Sequence, residues 1–421
     1  MSLDRSLAPP FHRQTQLKLP FVRTLMVKGI RLFVFDDPTA EAFKMECVTR
    51  AGQKTAQHPT INQLSFKMLN EGTQKQSAFA FNNALDELGS FFKINPALDF
   101  SSLSLFGLSR FFEQNLRLFS ELIYEPAFDE KALERLKEKE LSKLRLNEEK
   151  VSYLSAVQLR SHVFGIDHAY GRRLLQEDIS QASIEDLKSF YTDYIKDFDI
   201  FISGKIPENV ETLLGKYFSA PRTNPKPLLH YKPQPKLPLI SSGEKYVQSS
   251  IHLGRRLFNR DHEDYASFMM MNEVLGGYFG SRLMRTIREE KGLTYGIYSA
   301  LYPLALDGFF VIATEVNGDK TQETVDAIRH EIEQLQQTPV SDEELETARN
   351  YMIGSFINSF SGAFSEIDKF KTLQTNGLEM SFYTKYLKDL QQVTPNQIQE
   401  MANRYLSWTD LTLSIAGPKT A

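Results

Sequence analysis

The chain has 421 residues, which exceeds one ordinary hydrophobic core and predicts two or more domains. It is 41% hydrophobic and 24% charged, with a formal net charge of -4. This composition is typical of a globular protein and gives no reason to expect nucleic acid or an anionic membrane as a partner. Cys47 is the single cysteine, which excludes an intrachain disulfide and zinc sites built from paired cysteines.

The sequence contains no signal for membrane insertion or export. No run approaches the ~18 consecutive apolar residues that a membrane-spanning helix requires. The N-terminal stretch MSLDRSLAPPFHRQ lacks the apolar segment of a secretory signal. We therefore expect a cytoplasmic protein by default, and a periplasmic one if a native leader has been removed.

Strand-like stretches and amphipathic helices follow one another along the chain. The strands predicted in the first half are IRLFVF, LDFSSLSLF and FDIFIS, and those in the second half are SSIHLG, GFFVIATEV and LTLSIAG. In KALERLKEKELSKLR the leucines fall within one arc of about 140°, which predicts a helix that packs on one face. Without repeated βαβ units, this order favours an α+β fold with mostly antiparallel sheets packed by helices.

Two segments of the chain repeat at nearly half its length. The segment from Asp178, DISQASIEDLKSFYTDYIKDFD, resembles DLQQVTPNQIQEMANRYLSWTD from Asp389 at an offset of 211, and PAFDE resembles PVSDE at an offset of 213. Each longer segment contains a helix-capping pattern, beginning at Ser183 in the first and at Thr394 in the second. The repeats predict two homologous domains.

A proline-rich stretch separates the two predicted halves. Residues 221–238 hold six of the 18 prolines of the chain, which is typical of a semi-rigid extended linker. We therefore predict an N-terminal domain over residues 1–220, a linker over 221–240 and a C-terminal domain over 241–421.

Several motifs together resemble the insulinase, pitrilysin and mitochondrial processing peptidase family, metallopeptidase family 16. VTRAGQ precedes a helix that ends in Gly-Thr within HPTINQLSFKMLNEGT, and ALDELGS and HAYGRRLL follow. The most specific block, VLGGYFGSRLMRTIREEKGLTYGIYSA, contains Leu-Gly-Gly, Ser-Arg-Leu and Arg-Glu-x-x-Gly-Leu-x-Tyr. The resemblance implies two α/β-sandwich domains in a clamshell arrangement.

Active members of that family carry His-x-x-Glu-His on the first-half helix, where both histidines bind zinc and the glutamate activates water. Aligned on Gly72-Thr73, the two ligand positions here are Gln63 and Lys67, and the glutamate position is Phe66. The family's third ligand, a glutamate on a later helix, aligns with Lys143. We therefore expect no metal in this chain and no catalysis by it alone.

Neighbouring residues do not restore the zinc site in the sequence comparison. Ser142 lies beside the third-ligand position, and Glu138 and Glu140 are out of register with it. Lys67 as a general base would need desolvation or a cationic neighbour, and no nucleophile is arranged around it. A solvated or salt-bridged lysine is the simpler interpretation, and an enzyme with new chemistry at this site is a remote one.

Arg288 and Tyr295 are the residues that remain able to act on a substrate. Gly292 lies between them as the predicted end of a helix. By the resemblance, this pair binds the substrate backbone and stabilises the oxyanion at the zinc site of a first half. A guanidinium and a phenol suit that role because both are hydrogen-bond donors. From the residues alone, the competing interpretation is that the arginine is merely exposed and the tyrosine packs on a strand.

The leading hypothesis is a non-catalytic subunit of a heterodimeric zinc peptidase. Its partner would be a zinc-bearing homologue, or a second copy of the chain, and the substrate an unfolded peptide. GSFFKIN, residues 89–95, resembles the family's edge strand, which pairs with peptide by β-addition. The alternative is a pseudoenzyme that scaffolds another protein without proteolysis. LGGYFGSRL lacks the long glycine-rich loop of the mitochondrial non-catalytic subunit, so a role with mitochondrial presequences is not expected.

Overall fold

The computed structural model describes residue 17 and residues 19–219, 239–243 and 246–418. Most of the predicted linker lies outside these residues, so the predicted domain boundaries stay predictions. Within the described ranges, none of the helices combines the length and the hydropathy that a membrane span needs.

The first half of the chain forms a six-stranded sheet. Its strands are β1 (Arg23–Val27), β2 (Ile30–Asp36), β3 (Ala42–Thr49), β4 (Phe91–Asn95), β5 (Ser102–Leu108) and β6 (Phe198–Gly204). They lie in the order β1-β2-β6-β3-β5-β4, antiparallel except for the β2–β6 pair. Cys47 is fully buried in the central strand β3, where burial raises the pKa of its thiol. The cysteine is therefore a packing residue.

The second half repeats this topology in a five-stranded sheet. Its strands are β7 (Leu239–Ser242), β8 (Gln248–Leu257), β9 (Thr294–Pro303), β10 (Gly308–Asn317) and β11 (Thr412–Gly417). The order β7-β11-β8-β10-β9 matches β2-β6-β3-β5-β4 strand for strand, including the single parallel pair. The duplication and the mostly antiparallel α+β fold predicted from the sequence are confirmed.

Helices pack on both sheets. The α-helices are α1 (Pro59–Met68), α2 (Ala78–Asp86), α3 (Phe112–Tyr124), α4 (Glu130–Glu148), α5 (Val151–Phe164), α6 (Gln176–Gln181), α7 (Ile184–Phe190), α8 (Val210–Tyr217), α9 (Tyr265–Asn272), α10 (Thr321–Gln337), α11 (Asp342–Asn358), α12 (Ala363–Thr375), α13 (Ser381–Gln392) and α14 (Pro395–Tyr405). Three π-helical segments are Tyr191–Ile195, Glu273–Gly277 and Met284–Glu290. On α4, Leu133, Leu136 and Leu144 are buried, as its leucine arc predicts.

Two helices, called the crossing helices below, each pack against the sheet of the other half of the chain. Helix α5 belongs to the first half by sequence, but its Leu159 packs against Val311 and Ala313 of the second sheet. Helix α12 belongs to the second half, but its Ile367 and Phe370 pack in a cluster with strands of the first sheet. Each sheet is therefore covered on one face by a helix from the other half.

Candidate functional site

Helix α1 carries the positions where the sequence predicts a degenerate metal site. It begins after His58 with Pro59, whose fixed φ suits the first position of a helix. The chain turns away at Gly72, where φ is +101° and glycine avoids the strain of a side chain. Gln63 and Lys67 are four residues apart, so they lie on the same face of the helix.

Phe66 stands where the active members of the resembling family carry their catalytic glutamate. Its side chain is 0% exposed and packs in the hydrophobic core of the first half. A phenyl ring can neither accept a proton nor polarise a water molecule, so this position contributes only apolar burial. Position 66 therefore offers no group that could act as a general base.

Lys67 forms an ion pair with a residue on α4. Its Nζ lies 2.6 Å from Oε2 of Glu140, whose side chain is only 10% exposed. This contact confirms a salt-bridged lysine rather than a general base at position 67. The sequence comparison set Glu140 aside because it is out of register with a zinc ligand. A lysine side chain is longer than a histidine side chain, so the ammonium group of Lys67 reaches the carboxylate of Glu140. Glu140 precedes Lys143 by about one helical turn.

Lys143 lies beside the same site. It lines a cavity of about 190 Å³ together with Gln63 and Glu140. The cavity lies between α1, α4 and the start of α5, so the structure brings the predicted first and third ligand positions together. Among the residues that the structure covers, no carboxylate forms an ion pair with Lys143.

Arg288 and Tyr295 lie on the second half. Arg288 is on the π-helix Met284–Glu290, and Gly292 reverses the chain with a φ of +63° before Tyr295 enters β9. The predicted helix end is confirmed. The guanidinium carbon of Arg288 lies 4.7 Å from the ring centroid of Phe279, and the Tyr295 side chain is 98% exposed. Tyr295 therefore faces solvent, and Arg288 is half-buried.

Comparison with known proteins agrees with this geometry. The family model described as Peptidase M16 inactive domain matches residues 181–352. A Bacillus subtilis protein named uncharacterized zinc protease YmxG is 22% identical over 348 residues, which are 81% of this chain and 85% of that protein. A Helicobacter pylori protein named non-peptidase homolog YmxG is 22% identical over 375 residues, 85% of this chain and 84% of that one. The chain is therefore similar to M16 peptidase homologues, and the family model matches its middle part.

A solved structure shows that the likeness to M16 proteins extends over the whole fold. The crystal structure of a peptidase M16 inactive domain from Pseudomonas fluorescens matches this chain with a TM-score of 0.85. The match has 24% sequence identity and covers 95% of this chain and 99% of that one. The two-sheet arrangement described above is therefore the M16 fold.

The zinc ion of active M16 peptidases does not fit the residues present here. The α1 positions offer an amide and an ammonium group where zinc takes two imidazoles, and the nearby carboxylate of Glu140 is bound to Lys67. No group of three histidine, cysteine, aspartate or glutamate side chains in the described part of the chain could hold a metal ion. The residues of this M16 homologue at the motif positions therefore lack the zinc ligands and the general base of the active members.

The predicted peptide-binding segment of the M16 homologue is an edge strand. Among the described strands, β4 (Phe91–Asn95) pairs with β5 alone and ends the first sheet. Phe92 and Ile94 pack on the core, whereas Phe91 and Lys93 are exposed on the other face. Phe91 stacks on Phe106 at 4.8 Å between centroids. A free strand edge of this kind can pair with an extended peptide.

Two site residues of the M16 homologue escaped the sequence comparison. Thr60 and Tyr153 line the same cavity as Gln63. Thr60 could have been found, since it precedes Gln63 by three residues and three-residue spacing keeps two side chains on one helical face. Tyr153 carried no such signal, because its place depends on how α5 crosses between the halves.

Proposed function

We propose that this chain is the non-catalytic subunit of a heterodimeric zinc peptidase, and that Arg288 and Tyr295 serve the zinc site of its partner. The observation that carries the proposal is the near-complete exposure of Tyr295 on β9, the strand that follows the π-helix carrying Arg288. A phenol that is exposed to this extent is available to another chain. The chain's own α1 site lacks a metal ligand set, so hydrolysis depends on that other chain.

The chemistry of the pair suits substrate handling. Guanidinium stays charged at all physiological pH values and offers several donors in a fixed plane, and phenol adds one directional donor. Aimed at a peptide carbonyl, such donors strengthen as negative charge develops on the oxygen. Phe279 restricts the orientation of Arg288 by a cation–π contact, which reduces the entropy lost when a substrate binds.

Strand β4 supports the peptide-binding part of the proposal. Its backbone groups on the side away from β5 have no partner strand in the sheet. An unfolded peptide that pairs with this edge gains main-chain hydrogen bonds whatever its sequence. The ring of Phe91 and the ammonium group of Lys93, which lies 5.5 Å from that ring, would then contact alternate side chains of the peptide.

The test is co-expression with an M16 homologue that carries His-x-x-Glu-His, followed by a peptide-cleavage assay on the purified complex. We expect a stable complex that cleaves unfolded peptides, whereas each chain alone does not. Arg288→Ala should lower kcat/KM by about 10²-fold, the cost typical of losing one donor to an oxyanion. Tyr295→Phe should lower it by about tenfold or more.

Matched controls are available on the same elements. Arg285→Ala removes an exposed arginine from the same π-helix, and Tyr302→Phe removes a hydroxyl from the same strand. Both controls should leave kcat/KM within about twofold, since neither residue belongs to the predicted pair. Full activity of the Arg288→Ala and Tyr295→Phe complexes would refute the shared site. Failure to form a complex with any zinc-bearing homologue would favour a scaffold without proteolysis.

A further inference from the structure

The cavity beside α1 is small and partly open to solvent, and residues of α1, α4, α5 and α6 line it. Its volume is about 190 Å³, the room taken by about six water molecules. The part of a ligand that enters the cavity would therefore be no larger than a short branched chain with one polar head. The lining residues are Thr60, Gln63, Leu64, Glu140, Lys143, Leu144, Asn147, Tyr153, Leu174 and Ile179.

The cavity contains polar groups that lack partners. Thr60 is 1% exposed, and its Oγ1 has no hydrogen-bond partner. In the described ranges, the Gln63 amide and the Tyr153 hydroxyl also form no side-chain hydrogen bond. Burial, followed by the charge of Glu148, raises the pKa of Tyr153, which keeps its hydroxyl protonated as a donor. Buried polar groups are almost always paired, so the buried, unpaired Thr60 hydroxyl indicates a polar ligand, and the half-buried Gln63 and Tyr153 side chains offer it further hydrogen bonds.

The net charge of the site is positive. Lys67 neutralises Glu140 through the 2.6 Å ion pair, so the charge that remains at the cavity is the ammonium group of Lys143, an exposed residue at its rim. Arg160 and Arg173 add positive charge near Tyr153, and Glu148 opposes them. A bound carboxylate would therefore be attracted by charge and would receive hydrogen bonds from the hydroxyl and amide groups.

The rest of the wall is aliphatic. Leu64, Leu144, Leu174 and Ile179 complete the lining. Branched aliphatic surface favours a ligand with a compact apolar part, because it removes that part from water. The cavity therefore combines the ammonium group of Lys143 with three hydrogen-bonding groups and four aliphatic side chains. This combination suits a ligand with a carboxylate and a compact apolar part.

We infer that this remodelled pocket binds the carboxylate of a short branched aliphatic acid, either free or as the C-terminal residue of a peptide. The site concerns this chain alone and needs no partner subunit. Its failure would leave the proposed function intact, and failure of the heterodimer would leave this site intact.

The test is a titration of the purified chain with 3-methylbutanoate and with the neutral 3-methylbutanamide, followed by NMR or calorimetry. We expect the acid to bind at least about tenfold more tightly than the amide, which reflects one charge-assisted interaction. A second pair of probes is a hexapeptide that ends in leucine and the same peptide with an amidated C-terminus. Tighter binding of the acid peptide than of 3-methylbutanoate identifies the peptide terminus as the source, and the reverse identifies the free acid.

Variants assign the effect to the cavity. Lys143→Gln should reduce binding of the acid by about tenfold or more, and Lys139→Gln, an exposed lysine on the same helix, should not change it. Glu140→Gln should tighten binding because it releases the charge of Lys67, and Lys67→Met should weaken it because it leaves Glu140 uncompensated. Thermal unfolding of each variant confirms that it is folded.

Two results would overturn the inference. One is equal binding of acid and amide, or no binding of either up to about 100 mM, a concentration well above the millimolar range of weak specific sites. The other is a Lys143→Gln variant that is folded and binds the acid as tightly as the wild type. The opposite shifts expected for Glu140→Gln and Lys67→Met also test the sign of the pocket charge directly.

Discussion

The two crossing helices, α5 and α12, contact equivalent sheets through different kinds of polar group. Helix α12 contacts the first sheet through buried charges, where Lys371 Nζ lies 2.7 Å from Glu46 on β3 and 2.7 Å from Asp368 on its own helix. Lys44 completes the network at 2.6 Å from Asp368 and 3.1 Å from Glu46. The charges alternate in sign, so each ion has two partners.

Helix α5 contacts the second sheet through neutral groups. Ser155 Oγ lies 2.9 Å from Ser250 Oγ and 2.8 Å from Nδ1 of His252 on β8. The Ser414 hydroxyl on β11 donates a hydrogen bond to the Ser155 carbonyl at 2.9 Å. Burial lowers the pKa of His252 to about 4, so its ring is neutral at pH 7.

The comparison shows that the duplication preserved topology but not the means of joining the halves. Glu46 and Lys44 are buried, so removing one of these ions leaves a buried charge without its partner, whereas removing a hydroxyl leaves a polar group that water can often satisfy. The first interface should therefore be more sensitive to single substitutions, and the second more sensitive to moderate acid.

The largest effect is expected for Glu46→Gln. The variant leaves Lys44 and Lys371 to share one carboxylate, and we expect a loss of about 3–5 kcal/mol in the free energy of unfolding. Ser250→Ala, the matched change at the other interface, should cost about 1 kcal/mol. Urea unfolding at pH 7.5 measures both. A loss below about 1 kcal/mol for Glu46→Gln would mean that the ion network does not join the halves.

The second prediction concerns the pH dependence of His252. Its pKa is about 4 in the folded chain and about 6.5 when unfolded, so the unfolded chain binds more protons between these values. The contribution of the neutral ring to the free energy of unfolding is complete above about pH 6.5 and is lost as the pH falls toward 4. The loss is about 3 kcal/mol. His252→Asn should remove this slope, as urea titrations between pH 4 and 7.5 can show.

Glu273 should show the opposite pH dependence in the same measurement. Burial raises the pKa of its carboxyl to about 7, so its contribution to stability is complete below about pH 4.5 and is lost as the pH rises toward 7. The two slopes oppose each other between about pH 4.5 and 6.5. Glu273→Gln should therefore steepen the rise of stability with pH, and His252→Asn should reverse it. Parallel pH profiles in both variants would contradict the assignment.

Local patterns in the sequence predicted the elements of this fold, but not the contacts between its halves. The strands, the leucine face of α4 and the helix end at Gly292 depend on neighbouring residues, so they could be read from order and spacing. An apolar helical face shows that α5 is covered but not by which sheet. The ion pair of Lys67 with Glu140 joins residues far apart in sequence, and comparison with zinc ligands directed attention to Lys143 instead.

The smallest expected effects come from the duplicated helix caps, which test whether the halves unfold together. The Ser183 and Thr394 hydroxyls each accept a backbone hydrogen bond, and each lies in a complete capping box at the start of α7 or α14. Ser183→Ala and Thr394→Ala should each cost about 1 kcal/mol.

Because each sheet is covered by a helix of the other half, neither half keeps its full core alone. We therefore expect one unfolding transition, which either substitution shifts as a whole, and additivity within about 0.5 kcal/mol in the double variant. Calorimetry together with urea unfolding followed by Trp408 fluorescence can measure this. If Ser183→Ala moved one transition and Thr394→Ala another, the crossing helices would not couple the halves, and the chemistry at each interface would act only locally.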